Sequence, residues 1–316
     1  RQIGPFWKDS STGYLFFLNN SNGLSYRKTT NGGANWGARV TVTSSSNISP
    51  VACWADWETP GDTGTKIHIA FQEGGVGSTQ YRSLDTASDT LSSQVQVATN
   101  GGQNWATNFN SFAVSITKAV GGNLYIWSWD TVDGNAAASF SRSTDGGANW
   151  SSRSTTNLWE SSNEDRVWLI PAAETDTNDI VAIFTDDSAH EYSLKFYDDS
   201  ANSWGNETAI ATRASNDITD DQWQFAVAVR HSDQKAIMVW WNDNNDVTTA
   251  DLKCSELTLT VSGAGASAKT DVLTDSAESG GCCIMIDNNR DDIYVGYLRG
   301  GTWSTSVTPY YKKSTD

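Results

Sequence analysis

The chain has 316 residues, enough for one large domain or two modest ones. A net charge of −16 argues against nucleic acid and anionic membranes as partners, since both call for basic surfaces, and no apolar run is long enough to cross a bilayer. With 26 Gly, only 5 Pro and 15 Trp among many Thr, Val, Ser and Tyr, the composition favours strands, and no sustained helical spacing of apolar residues interrupts that reading.

In chain order, one unit recurs roughly every 50–60 residues. It begins with a nearly continuous apolar strand: IGPFWKD, PVACWADWE, SFAVSITKA, RVWLIPAA, WQFAVAVRH and CCIMIDNN. After a polar turn comes a second strand rich in β-branched and aromatic residues. These are YLFFLN from Tyr14, KIHIAFQ from Lys66, LYIWSWD from Leu124, IVAIFTD from Ile180, AIMVWWND from Ala236 and IYVGYLRG from Ile293. Third strands follow (LSYRKTT, QYRSLD, ASFSRSTD, YSLKFYDD, TADLKCSE, TPYYKKSTD), more charged and expected further out, and then a tight turn into a fourth. Six such meanders predict a single all-β domain over 1–316, a six-bladed β-propeller of four-stranded antiparallel blades near 1–45, 46–98, 99–156, 157–212, 213–273 and 274–316.

The turn after the third strand carries a motif. SRSTDGGANW places Ser143, Asp145, Gly147, Asn149 and Trp150 in a fixed register, and TTNGGANW repeats it as Thr29, Asn31, Gly33, Asn35 and Trp36. Gly supplies the positive φ of the turn, Asp or Asn bonds its backbone N–H groups, and Trp is expected to pack between neighbouring blades. Their role is therefore structural. Ser83 with Asp85, and Asp199 with Trp204, read as decayed copies, and the fifth unit has only a longer hairpin around SGAGASA. TNGGQNW, ending at Trp105, follows a fourth strand and belongs on the opposite face. KKSTD reads as the first half of another copy, so the last blade is expected to be incomplete. Its edge then calls for further chain beyond Asp316, or for a protein partner.

On these motifs and the blade rhythm, the whole chain resembles the sialidase-like, Asp-box (BNR-repeat) propellers. That fold hosts sialidases, other glycosidases, lyases and lectin-like modules. Sialidases of the family clamp a substrate carboxylate with three arginines, and use a Tyr–Glu pair and an acid/base Asp. The family's Arg-Ile-Pro motif is absent here: Arg1 is followed by Gln2 in RQIGP. ESGGCCIMI has no Tyr where the last blade's is expected, and only Arg166 stands at a plausible place for a clamp arginine.

Loops that enter each blade share a face with the loops between second and third strands, opposite the box turns. The loop into blade four offers Trp159, Glu160, Glu164, Asp165, Arg166 and Trp168, and the loop into blade five offers Asp217, Asp220, Asp221, Gln222 and Trp223. The other loops add Asp130, Asp133, Asp186, Asp187, His190, Glu191, Asp243, Asp246, Arg299 and Trp303. Aromatic planes suit the C–H faces of sugars, and the polar groups suit hydroxyls. Trp159, Glu160, Arg166, Trp223, Asp186, Asp187, His190, Arg299 and Trp303 are the expected ligand contacts, although Trp168 and Trp223 also begin inner strands and suit a core. Asp220 and Asp221 with Glu164 and Asp165 are the carboxylates placed to act as general acid and base. No cofactor is required by these residues; NDNNDV offers oxygen ligands to Ca²⁺ without EF-hand spacing.

His68, His190 and His231 fall in different units, against a shared metal or Ser-His-Asp site. Cys53, Cys254, Cys282 and Cys283 fit no zinc spacing and read as buried free thiols, with a disulfide as the alternative. The N-x-Ser/Thr sequons at Asn19, Asn47, Asn149 and Asn206 matter only in a host that glycosylates. The expectation is an extracellular, cell-surface or virion-surface module that binds glycans or serves adhesion. A glycoside hydrolase or polysaccharide lyase on the same face, and a ligand-free scaffold, are the alternatives.

Overall fold

The computed structural model describes residues 3–19, 23–45, 48–73, 78–99, 114–132, 135–156, 158, 167–173, 177–186, 189, 191–212, 225–242, 251–260, 263–266, 270–273, 282–299 and 308–314. They form six antiparallel sheets of three to five strands, a six-bladed β-propeller with no α-helix among the described residues. Sheet 1 holds β1 (Phe6–Trp7), β2 (Gly13–Leu18), β3 (Leu24–Thr29) and β4 (Val40–Thr43). Sheet 2 holds β5 (Ile48–Ala55), β6 (Lys66–Glu73), β7 (Ser78–Asp85), β8 (Thr90–Leu91) and β9 (Val95–Thr99), with a 3₁₀ turn at Asp56–Glu58. Sheet 3 holds β10 (Val114–Lys118), β11 (Leu124–Val132), β12 (Asn135–Ser143) and β13 (Ser151–Ser152). Sheet 4 holds β14 (Val167–Pro171), β15 (Ile180–Asp186), β16 (Glu191–Asp198), β17 (Ser203–Trp204) and β18 (Thr208–Thr212). Sheet 5 holds β19 (Phe225–Arg230), β20 (Lys235–Asn242), β21 (Asp251–Thr260), β22 (Gly263–Ala266) and β23 (Thr270–Leu273). Sheet 6 has three strands, β24 (Cys282–Asp287), β25 (Asp292–Arg299) and β26 (Thr308–Ser314).

Alternation along each strand sends side chains to the two neighbouring blades. Tyr14 and Phe16 of β2 pack with Ile67, Ile69 and Phe71 of sheet 2. A larger cluster joins Trp54 and Tyr81 to Ile116 and Ile126, and Trp168 and Ile183 to Phe225 and Trp240. Trp127 and Phe140 meet Leu169, Tyr197 and Trp204 between sheets 3 and 4, and Val239 meets Val295 and Ile284 between sheets 5 and 6. Trp168 is thus core, 8% exposed, with its ring 6.0 Å from that of Phe225. The third strands β3, β7 and β16 lie third in the sheet order, as expected, and are mostly buried because their apolar side chains fill the seams as well; among the third strands, β26 is exposed throughout.

The motif turns have the expected bonding. In sheet 3, Ser143 Oγ accepts the Gly147 N–H at 2.8 Å, and Asp145 Oδ1 accepts the Asn149 N–H at 2.9 Å. In sheet 1, Thr29 Oγ1 accepts the Gly33 N–H at 3.0 Å, and Asn31 Oδ1 accepts the Asn35 N–H at 2.9 Å. Gly33 and Gly147 hold φ of +85° and +95°, where a side chain is strained. Trp150 packs across the seam on Tyr81 of sheet 2, ring centroids 5.1 Å apart, whereas Trp36 leans on Trp7 of its own sheet at 6.3 Å. The expectation of an inter-blade Trp therefore holds in sheet 3 and is corrected in sheet 1. The decayed copy in sheet 4 keeps the function: Trp204 lies 5.1 Å from Phe140 of sheet 3. None of the four cysteines is paired; Cys53 is buried, but Cys283 is exposed, which corrects the expectation of uniformly buried thiols.

Candidate functional site

On the face opposite the motif turns, β15 ends at Asp186 and β16 starts at Glu191, its direct cross-strand partner. Glu207, just before β18, reaches the same place, and one carboxylate oxygen from each of the three lies within 4.8 Å of the others. Asp186 is 8% exposed, and its Oδ1 accepts the Ala189 N–H at 2.9 Å. Glu191 Oε1 accepts the Ser193 hydroxyl at 3.1 Å. Lys195, 2% exposed, places Nζ 3.1 Å from Glu207 Oε2 and 5.4 Å from the centre of the Phe184 ring. The other oxygen, Glu207 Oε1, is buried and accepts no hydrogen bond.

Among the described residues, one ammonium stands among three carboxylates. The donor set is all oxygen, the kind hard cations take, but Ca²⁺ takes about six to eight such ligands and Lys195 already neutralises one of the three. The described residues alone therefore do not make a calcium cage. What they do make is a rigid polar corner able to accept hydrogen bonds from hydroxyl or ammonium groups. A second polar strip lies at the same end of sheets 2 and 3, where Thr79 Oγ1 donates to Ser128 Oγ at 2.9 Å and Gln94 Nε2 donates to Glu73 Oε1 at 3.1 Å.

Of the residues expected from sequence, Asp186 and Glu191 fall in this corner. Trp159, Glu160, Glu164, Asp165, Arg166, Asp187, His190, Asp220, Asp221, Trp223 and Trp303 lie outside the described residues, as do the NDNNDV segment after Asn242 and Trp105. Arg299 ends β25, and its side chain is likewise outside them. Lys195 and Glu207 were not singled out in the sequence. Lys195 sits within an apolar third strand and Glu207 within a sequon, so neither carries a local signal.

The motif-turn face carries a second buried polar group that the sequence did not announce. Tyr81 OH lies 2.7 Å from His68 Nδ1, His68 Nε2 lies 2.9 Å from Asp56 Oδ1, and Lys118 Nζ lies 2.6 Å from both Asp56 Oδ1 and Asp62 Oδ2. Burial disfavours the Asp56 charge, but hydrogen bonds and charge from His68 and Lys118 and the Lys66 amide outweigh it and hold the carboxyl well below its usual range. Burial lowers the His68 pKa against the pull of Asp56, with the ring's Nε2 set against Asp56 Oδ1 and its Nδ1 against the Tyr81 hydroxyl. With Tyr81, His68 and Asp56 at 1%, 2% and 3% exposure, no substrate reaches this chain of hydrogen bonds. It ties sheet 2 to sheet 3 at Lys118 and at the Gly146 carbonyl. His231 serves a similar end: its Nε2 bonds the Glu58 carbonyl at 3.1 Å.

The architecture defines the class as a six-bladed β-propeller. No family model and no curated protein matches the sequence. Among solved structures, the fold is similar to the Hadza microbial sialidase Hz136 (TM-score 0.56, 12% identity, covering 91% of this chain and 60% of that one). It is similar as well to a polysaccharide lyase of the PL25 ulvan lyase family (TM-score 0.53, 10% identity, 100% and 80%). Kuenenia stuttgartiensis hydrazine synthase is a third (TM-score 0.57, 12% identity, 92% and 73%). The chain spans 60% of the length of that sialidase. At such identities the likeness establishes the shared fold, and it extends to an enzyme whose name involves no carbohydrate.

Proposed function

We propose that this is a carbohydrate-binding propeller, that its motif turns are Asp boxes, and that its binding face is the one bearing Asp186, Glu191 and Glu207. The observation that carries the reading is that corner: carboxylate oxygens of Asp186, Glu191 and Glu207 gathered within 4.8 Å of one another. Carbohydrate-active neighbours on the same fold support it. The corner's carboxylates suit hydrogen bonds from sugar hydroxyls.

Binding is favoured over sialidase chemistry because four of the described arginines are committed elsewhere. Arg82 bonds the Ser92 and Val42 carbonyls, Arg142 and Arg153 bond Asp199, and Arg230 bonds Asp233 and Glu256. A guanidinium so engaged is not available to clamp a substrate carboxylate. We place the protein outside the cytoplasm, at a cell or virion surface rich in glycans; no helix among the described residues is long and apolar enough to cross a membrane.

A glycan array with a turnover assay tests this. Binding without turnover, weakened about tenfold or more (~1.4 kcal/mol) by Asp186→Asn or Glu191→Gln at unchanged Tm, is expected. Silence across neutral, amino and acidic glycans would overturn it and leave the scaffold reading. A glycosidase is the second reading, favoured by one measurement: oxygens within 4.8 Å are nearer to the ~5–5.5 Å spacing of retaining pairs than to the wider inverting one. Release of reducing sugar, abolished in Glu191→Gln or in Asp221→Asn, would establish it.

A further inference from the structure

Six sheets in a ring have six seams, and buried apolar clusters fill five of them, from 1/2 to 5/6. Between sheets 6 and 1 the described residues form no such cluster. On the sheet 6 side, Cys283 and Met285 of β24 are exposed, the latter 48%, and Tyr311 of β26 is 74% exposed. Register places Cys283, Gly296 and Tyr311 side by side, so these residues share the face turned away from sheet 5. On the sheet 1 side, Leu15 and Phe17 are only half-buried, on the face of β2 opposite Tyr14 and Phe16.

Two further observations point the same way. Trp150 crosses the 2/3 seam to Tyr81, whereas its counterpart Trp36 stays on Trp7 of its own sheet. An ionic clasp also differs. Tyr14 stands opposite Lys28, and Lys28 grips Asp89 in the outer turn of the next sheet at 2.7 Å. Tyr125 stands opposite Arg142, which grips Asp199 of the next sheet at 2.7 Å. Sheet 6 repeats the pair as Tyr294 opposite Lys313, with Nζ 5.5 Å from the ring, as Lys28 lies 5.4 Å from Tyr14. Lys313 instead bonds Asp292 of its own sheet at 2.7 Å, where Thr12 and Asn123 stand in the other two. The outer turn of sheet 1 (residues 30–36) contains no carboxylate to receive it.

We propose that the propeller opens at the seam between sheets 6 and 1, with sheet 6 moving as a unit on its core against sheet 5. Its charge clasp is satisfied internally, so parting from sheet 1 strands no buried ion. β24 is the innermost strand of its blade, so the movement opens the central channel from the side.

Amide hydrogen exchange and thiol labelling of the whole chain test this. β24, β25 and β26 are expected to exchange together, at least tenfold faster than β19 and β20 under the same native conditions. Cys283 is expected to react with N-ethylmaleimide at the rate of a free thiol while Cys53 stays protected. Exchange of sheet 6 only in step with the other five sheets, or protection of Cys283 equal to that of Cys53, would overturn the proposal. A third measurement separates an open seam from a packed one. Met285→Asp should leave Tm within about a degree of the parent while Val227→Asp, inside the filled 4/5 seam, abolishes folding. A large loss of Tm from Met285→Asp would show that the seam is a closed core.

Discussion

Asp56 shows how much of the stability of one seam rests on a single carboxylate. Nothing near it in sequence marks it, yet His68, Lys118 and the Lys66 amide all converge on it at 2.6–2.9 Å. Removing one member of a buried ion pair leaves the other uncompensated and costs about 3–5 kcal/mol. Lys118 keeps Asp62 as a second partner and is 18% exposed, which places Asp56→Ala toward the lower end, near ~3 kcal/mol. The pH dependence has a defined sign. Because the folded value of Asp56 is depressed, its contribution is full above the unfolded value of about 3.8 and is lost as pH falls through the folded one. Chemical denaturation of wild type and Asp56→Asn should therefore give curves separated at pH 7 that converge as the pH is taken below 4. A constant separation down to the most acidic condition would show that the carboxylate charge is not the cause.

At the scale of the element, the motif turn is decided by glycine, and its two copies should respond unequally to the same substitution. Gly33 and Gly147 both have positive φ, so Ala is strained at either, by about 1 kcal/mol. A Cβ on Gly33 would lie 3.4 Å from the edge of Trp7, an ordinary contact. On Gly147 it would lie 2.1 Å from Tyr81 Cε1, inside a ring packed against Trp150 and hydrogen-bonded to His68. Gly147→Ala is thus expected to cost more than Gly33→Ala by about 1–3 kcal/mol, the overpacking penalty, and urea denaturation of the two variants measures the difference. Equal losses would mean that Tyr81 yields freely. These turns were legible in the sequence because their spacing is local and their residue types are dictated by φ and by Asx bonding. The second strands were legible for the same reason, since each is one contiguous run. Asp56, His68 and Tyr81 come from a turn and two strands of sheet 2 that pairing brings together, and Lys118 joins them from sheet 3 only by blade packing. The Asp186 corner was half legible: Asp186 and Glu191 stand out at strand ends, whereas Lys195 is hidden in a strand pattern and Glu207 in an ordinary linker. The Trp36 exception could not be read at all, because it depends on which blade lies beside the turn.

For the whole molecule, the decisive contact is the one that crosses the axis. His231, in the β19–β20 turn of sheet 5, bonds the Glu58 carbonyl of sheet 2, three blades away and hence on the opposite side of the ring. Asn288 Oδ1 of sheet 6 accepts the His231 N–H at 2.9 Å, so three blades meet there. The Glu58 carboxyl sits at this junction, its Oε2 accepting the Ala55 N–H at 3.1 Å, and burial pushes it up to about 8. A carboxyl raised in the folded state gives stability that is fully present below its unfolded value of about 4.5 and is lost as pH rises through the folded value. Wild type should accordingly lose Tm between pH 5 and 8 relative to Glu58→Gln, which keeps the Ala55 hydrogen bond and cannot ionise. The gap should widen across that window and level off above about pH 8. Scanning fluorimetry of the two proteins at unit pH steps reads it directly. A gap that is flat from pH 5 to 8 would mean that Glu58 is already ionised at the axis, with water in the channel solvating it.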